Sequence, residues 1–209
     1  MFYPQLVRRA QYSVKRCGSY YADYHHYYEE IKSDCLERCV YCDGLLSEHG
    51  YEGFHLDHFR PSSLFPGLST DPNNLVLACS KCNIFKSKVW HSKIYFHVCA
   101  SHDGISGFID PFQDPLGQYF LVDATGSLVP QSAVADFMIN LLHLNRASRL
   151  LIRRQRRILH RIRTLNLIVD QKLDALDKYM ESDDFDRARA RAMLADARAI
   201  KNSLTALTA

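Results

Sequence analysis

No run of about 18 apolar residues occurs in the chain, so no membrane-spanning helix is expected. The opening stretch, MFYPQLVRRAQYSVKRCGSYY, lacks the apolar core of a signal peptide, which points to a cytoplasmic protein. There is no sequence repeat, and neither sign of charge dominates. Lys and Arg number 26 against 23 Asp and Glu, too even a balance to identify a nucleic-acid partner by itself. One local absence is more informative: residues 145–163 hold eight arginines and no acid, whereas residues 170–186 are rich in Asp and Glu. What remains is a chain of 209 residues, 47% hydrophobic and 23% charged, long enough to bury a core as a soluble globular protein.

Four stretches can be told apart. In residues 1–38, Tyr20, Tyr24, Tyr27, Tyr28 and Ile31 recur at helical intervals and predict a helix with a tyrosine packing face. Residues 39–98 read as a compact unit in the order turn, strand near GFHLDHF, Pro/Gly/Asp-marked loop, strand NLVLAC, turn, and a helix from near Asn83. Residues 99–131, rich in Gly, Pro and Asp, read as a connector with one or two short strands. Residues 132–209 read as helical: a helix near Ser132 to Leu142, a long basic one from about Asn145 to Met180, and a last one after ESDDFD.

The chemistry concentrates in the second stretch. Cys39 and Cys42 form one Cys-x-x-Cys pair, Cys79 and Cys82 another. In a reducing compartment such pairs are more often metal ligands than disulfides. Each pair offers two thiolates from a tight turn, and the spacing is that of two zinc knuckles closing one tetrahedral site. A closed four-thiolate shell leaves no position for water, so this zinc is expected to be structural. Cys35, four residues before Cys39, is its rival as ligand, and the two-residue spacing favours Cys39.

Between the pairs stand Asp57 and His58, then Asn74 and Leu75, and directly after Cys82 come Asn83 and, three residues on, Lys86. This order resembles the zinc-ribbon subgroup of the HNH (ββα-metal) endonuclease superfamily: C-x-x-C, D-H, N-L, then C-x-x-C-N-x-x-K. The resemblance spans under a third of the chain. It implies an α+β fold, with a ββα-metal core carrying structural zinc knuckles, an N-terminal helix and a helical C-terminal region. It also implies roles: His58 as general base, Asp57 and Asn83 as ligands of a catalytic metal, and Asn74 as the residue that ties down the loop and orients His58. Two oxygen donors with open positions favour Mg²⁺ or Mn²⁺ there.

Some assignments rest on the residues alone. Phosphodiester hydrolysis needs a base to activate water, and a neutral imidazole supplies one. In an extended segment Asp57 and His58 point to opposite faces, so they need not simply pair. Lys86 shares a helix face with Asn83 and either reaches a phosphate or is an ordinary surface lysine. Arg60, His55 and His91 carry weaker signals: Arg60 a candidate nucleic-acid contact, His55 a neighbour of Asp57 on its strand face, and His91 a surface or packing histidine.

The helical region admits two readings. Arg149, Arg153, Arg156 and Arg157, with Arg146, bind phosphates or face a protein partner, while Leu144, Leu151, Ile158, Ile162, Leu165 and Val169 mark an apolar face. The FIDP run, the Leu144-Asn145 pair and the spaced arginines resemble HNH proteins of Septu-type anti-phage systems, which implies an ATPase partner. The expected function is therefore a metal-dependent endonuclease acting on nucleic acid, DNA more than RNA. The alternatives are a zinc-ribbon module that binds nucleic acid or protein without cutting, or an interaction protein that keeps the nuclease core as a scaffold. Asp57, His58 and Asn83 separate cutting from binding, since a pure binding module has no use for all three.

Overall fold

The computed structural model describes residues 2–91 and 99–208, with side chains as far as Leu204. Residues 92–98, the end of the stretch assigned to the nuclease core, lie outside the described residues. The fold is α+β, and it divides into two compact units, Met1–Arg153 and Arg154–Ala209. The described residues of the stretches distinguished at 1–38, 39–98 and 99–131 all fall within the first unit, together with the start of the helical region.

At the centre of the first unit is an antiparallel pair, β1 (Phe54–His58) and β2 (Leu75–Cys79), in which Phe54 faces Cys79 and His58 faces Leu75. Every residue of β2, LVLAC, is buried, as befits an apolar run covered on both sides. α2 (Ser80–Lys86) follows β2 without a linker. It begins three residues earlier than expected, because Cys79 is the last extended residue and serves as its N-cap position. The connection from β1 to β2 contains two 3-10 turns, Pro66–Leu68 and Pro72–Asn74, each opening on a proline whose φ suits a helical start. Asp71 caps the second turn by accepting the Asn73 N–H at 2.9 Å, which sets Asn74 at the foot of β2.

The helix expected across residues 1–38 is confined to a 3-10 turn, Tyr24–Tyr27, and α1 (Tyr28–Asp34). No helix or strand forms among the described residues before Tyr24. That segment is held by tertiary contacts instead. Tyr12 donates to the Asp34 carboxylate at 2.7 Å, Arg9 pairs with it at 3.0 Å, and Tyr3 and Leu6 are buried in the core. Tyr27 and Ile31 are fully buried and Tyr24 and Tyr28 pack partly buried against the core, whereas Tyr20 is exposed, so the stripe is a packing face from Tyr24 onward.

After residue 99 come α3 (Leu116–Tyr119), a hairpin of β3 (Phe120–Val122) and β4 (Leu128–Pro130), and α4 (Ala133–Leu141), capped by the Ser132 hydroxyl. The core runs on into Phe108, Met138 and Leu142. α5 (Ala147–Met180) contributes its first two turns to this unit.

The second unit holds the remainder of α5 and α6 (Arg187–Thr208). Asp186 caps α6 by accepting the Arg189 N–H at 2.7 Å, and the Tyr179 hydroxyl accepts the Asp186 N–H at 2.8 Å. Among the described residues, no helix is long and apolar enough to cross a membrane.

Candidate active site

The ligand atoms of Cys39, Cys42, Cys79 and Cys82 lie within 4.8 Å of one another, and all four residues are buried. A tight turn presents the first pair: the Cys39 N–H bonds Gly44 O at 2.9 Å and the Asp43 N–H bonds Cys39 O at 2.9 Å. The strand-to-helix junction presents the second pair. Four sulfurs at this spacing match one tetrahedral zinc with Zn–S bonds of about 2.3 Å. Hydrogen bonding among the four sulfurs holds the Cys79 thiol far below its ordinary range, and the Cys42 thiol is lowered as well. Cys35 stands apart, its buried thiol accepting the Leu77 N–H at 3.4 Å.

Two arginines cover this cluster. Arg149 donates to Cys79 Sγ at 3.2 Å and contacts His49 Nε2 at 2.8 Å, while Arg146 reaches Cys82 Sγ at 3.7 Å. Burial pulls the Arg149 guanidinium down, and the charges of Cys42 and Cys79 outweigh it, so the cation is favoured. This corrects the phosphate-or-partner reading of Arg149: it is buried and turned toward sulfur. Arg153 is corrected likewise. It is fully buried and donates to the carbonyls of Gly126 at 2.6 Å and Leu144 at 2.7 Å. Arg156 is half-buried and Arg157 exposed, and both belong to the second unit. The Arg60 guanidinium is likewise engaged, donating to Cys99 O at 2.7 Å and lying 5.0 Å over the Trp90 ring.

His58 ends β1, half-buried, with Nε2 at 2.8 Å from Ser69 O. A carbonyl only accepts, so Nε2 carries the proton and Nδ1 keeps its lone pair. The Tyr24 ring meets the imidazole edge-on, with centroids 4.7 Å apart. Asn74 is buried and spans the loop, accepting the Arg60 N–H at 2.9 Å and donating to Arg60 O at 2.9 Å and Leu68 O at 3.3 Å. Leu68 precedes the carbonyl that holds His58, so Asn74 acts on the imidazole through the loop. His55 is exposed and bonds the Ser80 hydroxyl at 3.0 Å, and His91 lies against Trp90.

Asp57 faces inward. Its carboxylate accepts the Tyr41 hydroxyl at 2.6 Å and lies 3.1 and 3.3 Å from Lys86 Nζ, which also donates to His58 O at 2.7 Å. Lys86 is fully buried, so the phosphate-contacting and surface readings of this residue are both corrected. Burial raises the Asp57 carboxyl above the ordinary range, with the Lys86 charge opposing, and burial lowers the Lys86 ammonium. Asn83 is half-buried, and its side chain makes no hydrogen bond among the described residues. With both carboxylate oxygens engaged by an ammonium and a hydroxyl, Asp57 and Asn83 as placed do not form a divalent-cation site.

Sequence reading overlooked several residues here. Tyr41 sits inside CVYC and had a visible signal, whereas Ser69 acts through its backbone carbonyl and had none. The acid-free arginine stretch had its signal too: part of its counter-charge is thiolate.

Residues 39–88 match the HNH endonuclease family. The matched segment contains both Cys pairs, β1, β2, α2 and the His58 site. No match was found among curated proteins or among solved structures. The family match stops before the helical region, so it lends the Septu-type resemblance no support. The residues that carry that resemblance have internal uses: the Asn145 side chain bonds the Leu128 backbone at 2.7 and 2.9 Å, and Arg149 and Arg153 are buried.

Proposed function

We propose that this protein hydrolyses phosphodiester bonds in nucleic acid, DNA in preference to RNA, with His58 as general base. The observation that carries the reading is the state of the His58 ring. Its Nε2–H is committed to Ser69 O, and Nδ1 has no partner among the described residues. That nitrogen can take a proton from a water positioned against phosphorus, and the Ser69 carbonyl stabilises the imidazolium that results. Asn74 holds the loop bearing this carbonyl, and Tyr24 limits the swing of the ring. The zinc cluster serves as scaffold, since its four thiolates leave no open position. Asp57, engaged by Lys86 and Tyr41, is not free as placed to hold a cation for the leaving group. The closed state of Asp57 is also the one observation favouring the rival reading, a binding module that does not cut.

The test uses zinc-loaded protein with supercoiled plasmid and, in parallel, single-stranded RNA, each with Mg²⁺ or Mn²⁺. Wild-type protein is expected to nick the plasmid and His58→Ala to bind it without cutting. A folded His58→Ala protein that cuts at the wild-type rate would move the base elsewhere. A wild type inert under every condition would favour the binding module.

A further inference from the structure

We propose that Lys86 is the resident cation of the Asp57 site, and that any divalent ion bound by Asp57 must first displace it. The donors around Lys86 Nζ are both carboxylate oxygens of Asp57, at 3.1 and 3.3 Å, and the His58 carbonyl at 2.7 Å. That is an all-oxygen set, the kind a hard divalent cation takes. Here an ammonium fills it. The lysine side chain has no solvent exposure, and the ring of Phe108 lies 5.8 Å from the ammonium. Tyr41 takes a further lone pair of the carboxylate at 2.6 Å.

An ammonium and a divalent ion drawn to the same carboxylate repel each other, and the repulsion is strong where water is excluded, so binding of one weakens binding of the other. The lysine is also well suited to leave, because it is tethered through a flexible four-carbon stem. Asn83, one helical turn before Lys86, keeps an amide oxygen free of hydrogen bonds among the described residues. Once the ammonium has gone, the Asp57 carboxylate, still accepting the Tyr41 hydroxyl, and the His58 carbonyl are the oxygens left at the vacated position. The ion would then lie beside the residue read as the base, whereas with Lys86 in place the same position carries a fixed single charge. The inference concerns ion binding alone and is decided independently of whether the protein cuts.

The experiment measures Mn²⁺ binding to the zinc-loaded full chain by the loss of the free-ion electron paramagnetic resonance signal. Lys86→Met is expected to bind at least tenfold more tightly than wild type. Asp57→Asn/Lys86→Met is expected to lose that gain. Equal affinity in wild type and a folded, zinc-bound Lys86→Met protein overturns the proposal, as does a double variant that keeps the gain. If Lys86→Met alone does not fold, the wild type decides: its Lys86 ammonium signal, followed by ¹⁵N NMR, is expected to disappear or shift as Mg²⁺ binds. A signal that persists unchanged to saturation overturns the proposal.

Discussion

Two buried clusters lie side by side within residues 39–88, and they carry their counter-charge in different places. In the cysteine cluster four sulfurs converge within 4.8 Å, and the cations, Arg146 and Arg149, stand outside and donate to sulfur. At Asp57 the cation, Lys86, occupies the centre itself. The first arrangement turns four sulfurs toward one point with no cation among them, a set that suits a tetrahedral zinc. The second is complete as it stands. Ligand spacing therefore identifies a metal site when the ligands have no other partner, and fails to do so when a neighbouring side chain can supply the charge.

The comparison breaks most severely at the cysteines. Cys79→Ser is expected to lose zinc and, with it, cooperative unfolding, since structural zinc contributes on the order of 10–16 kcal/mol in small zinc-binding peptides. Metal analysis and thermal unfolding check this, and equal zinc with unchanged unfolding would remove Cys79 from the site. His58→Ala is expected to cost about 10² to 10⁴ in cleavage rate, the usual contribution of a general base, with zinc content and unfolding temperature retained.

At Asp57 the expected effects are on stability. Lys86→Met should destabilise by about 3–5 kcal/mol, because it leaves a buried carboxylate unpaired, and Asp57→Asn/Lys86→Met should recover most of that loss. Denaturant unfolding of the two variants tests the pairing, and a double variant no better than the single one would argue against it. The pH dependence has a definite sign. Burial raises the Asp57 carboxyl, so the folded state holds that proton more tightly than the unfolded chain does. The loss in Lys86→Met is therefore largest above the raised Asp57 pKa and shrinks as pH falls through it, where the acid becomes neutral. A loss independent of pH would contradict a charge origin.

The smallest effect is expected outside the zinc cluster. Arg149→Met should weaken zinc retention by about 10- to 100-fold, the usual scale for groups that bond a metal's ligands. Chelator-driven zinc release measures it, alongside DNA binding at several salt concentrations. A flattened salt dependence with unchanged zinc release would return Arg149 to a phosphate-binding role.

How far these features were legible depends on the distance over which each is encoded. The two Cys-x-x-Cys pairs, the alternation in FHLDH and the apolar run LVLAC are local, and they announced the ββα order and the zinc ligands before any coordinates. Asn74 was legible through its place beside Leu75, and the structure sets it across the loop that carries Ser69. The start of α2 was misjudged by three residues because the segment from Cys79 to Cys82 reads as a separate turn, whereas Ser80 already opens the helix. The helical reading of the opening segment failed before Tyr24 because that stretch is an extended chain held by tertiary contacts of Arg9 and Tyr12 with Asp34, which aromatic spacing does not reveal.

By itself, then, the amino-acid sequence determined which four cysteines suit a zinc and which strands and helix surround His58, because ligand spacing and apolar alternation act over a few residues. Only the tertiary structure decided where the long cationic side chains go. Lys86 turns in to Asp57, Arg149 turns in to Cys79, and Arg153 is buried against backbone carbonyls. Each of these choices depends on a buried acceptor supplied by a distant part of the chain. The energy of a buried charge is set by the partner it meets there, and helical periodicity carries no record of that partner.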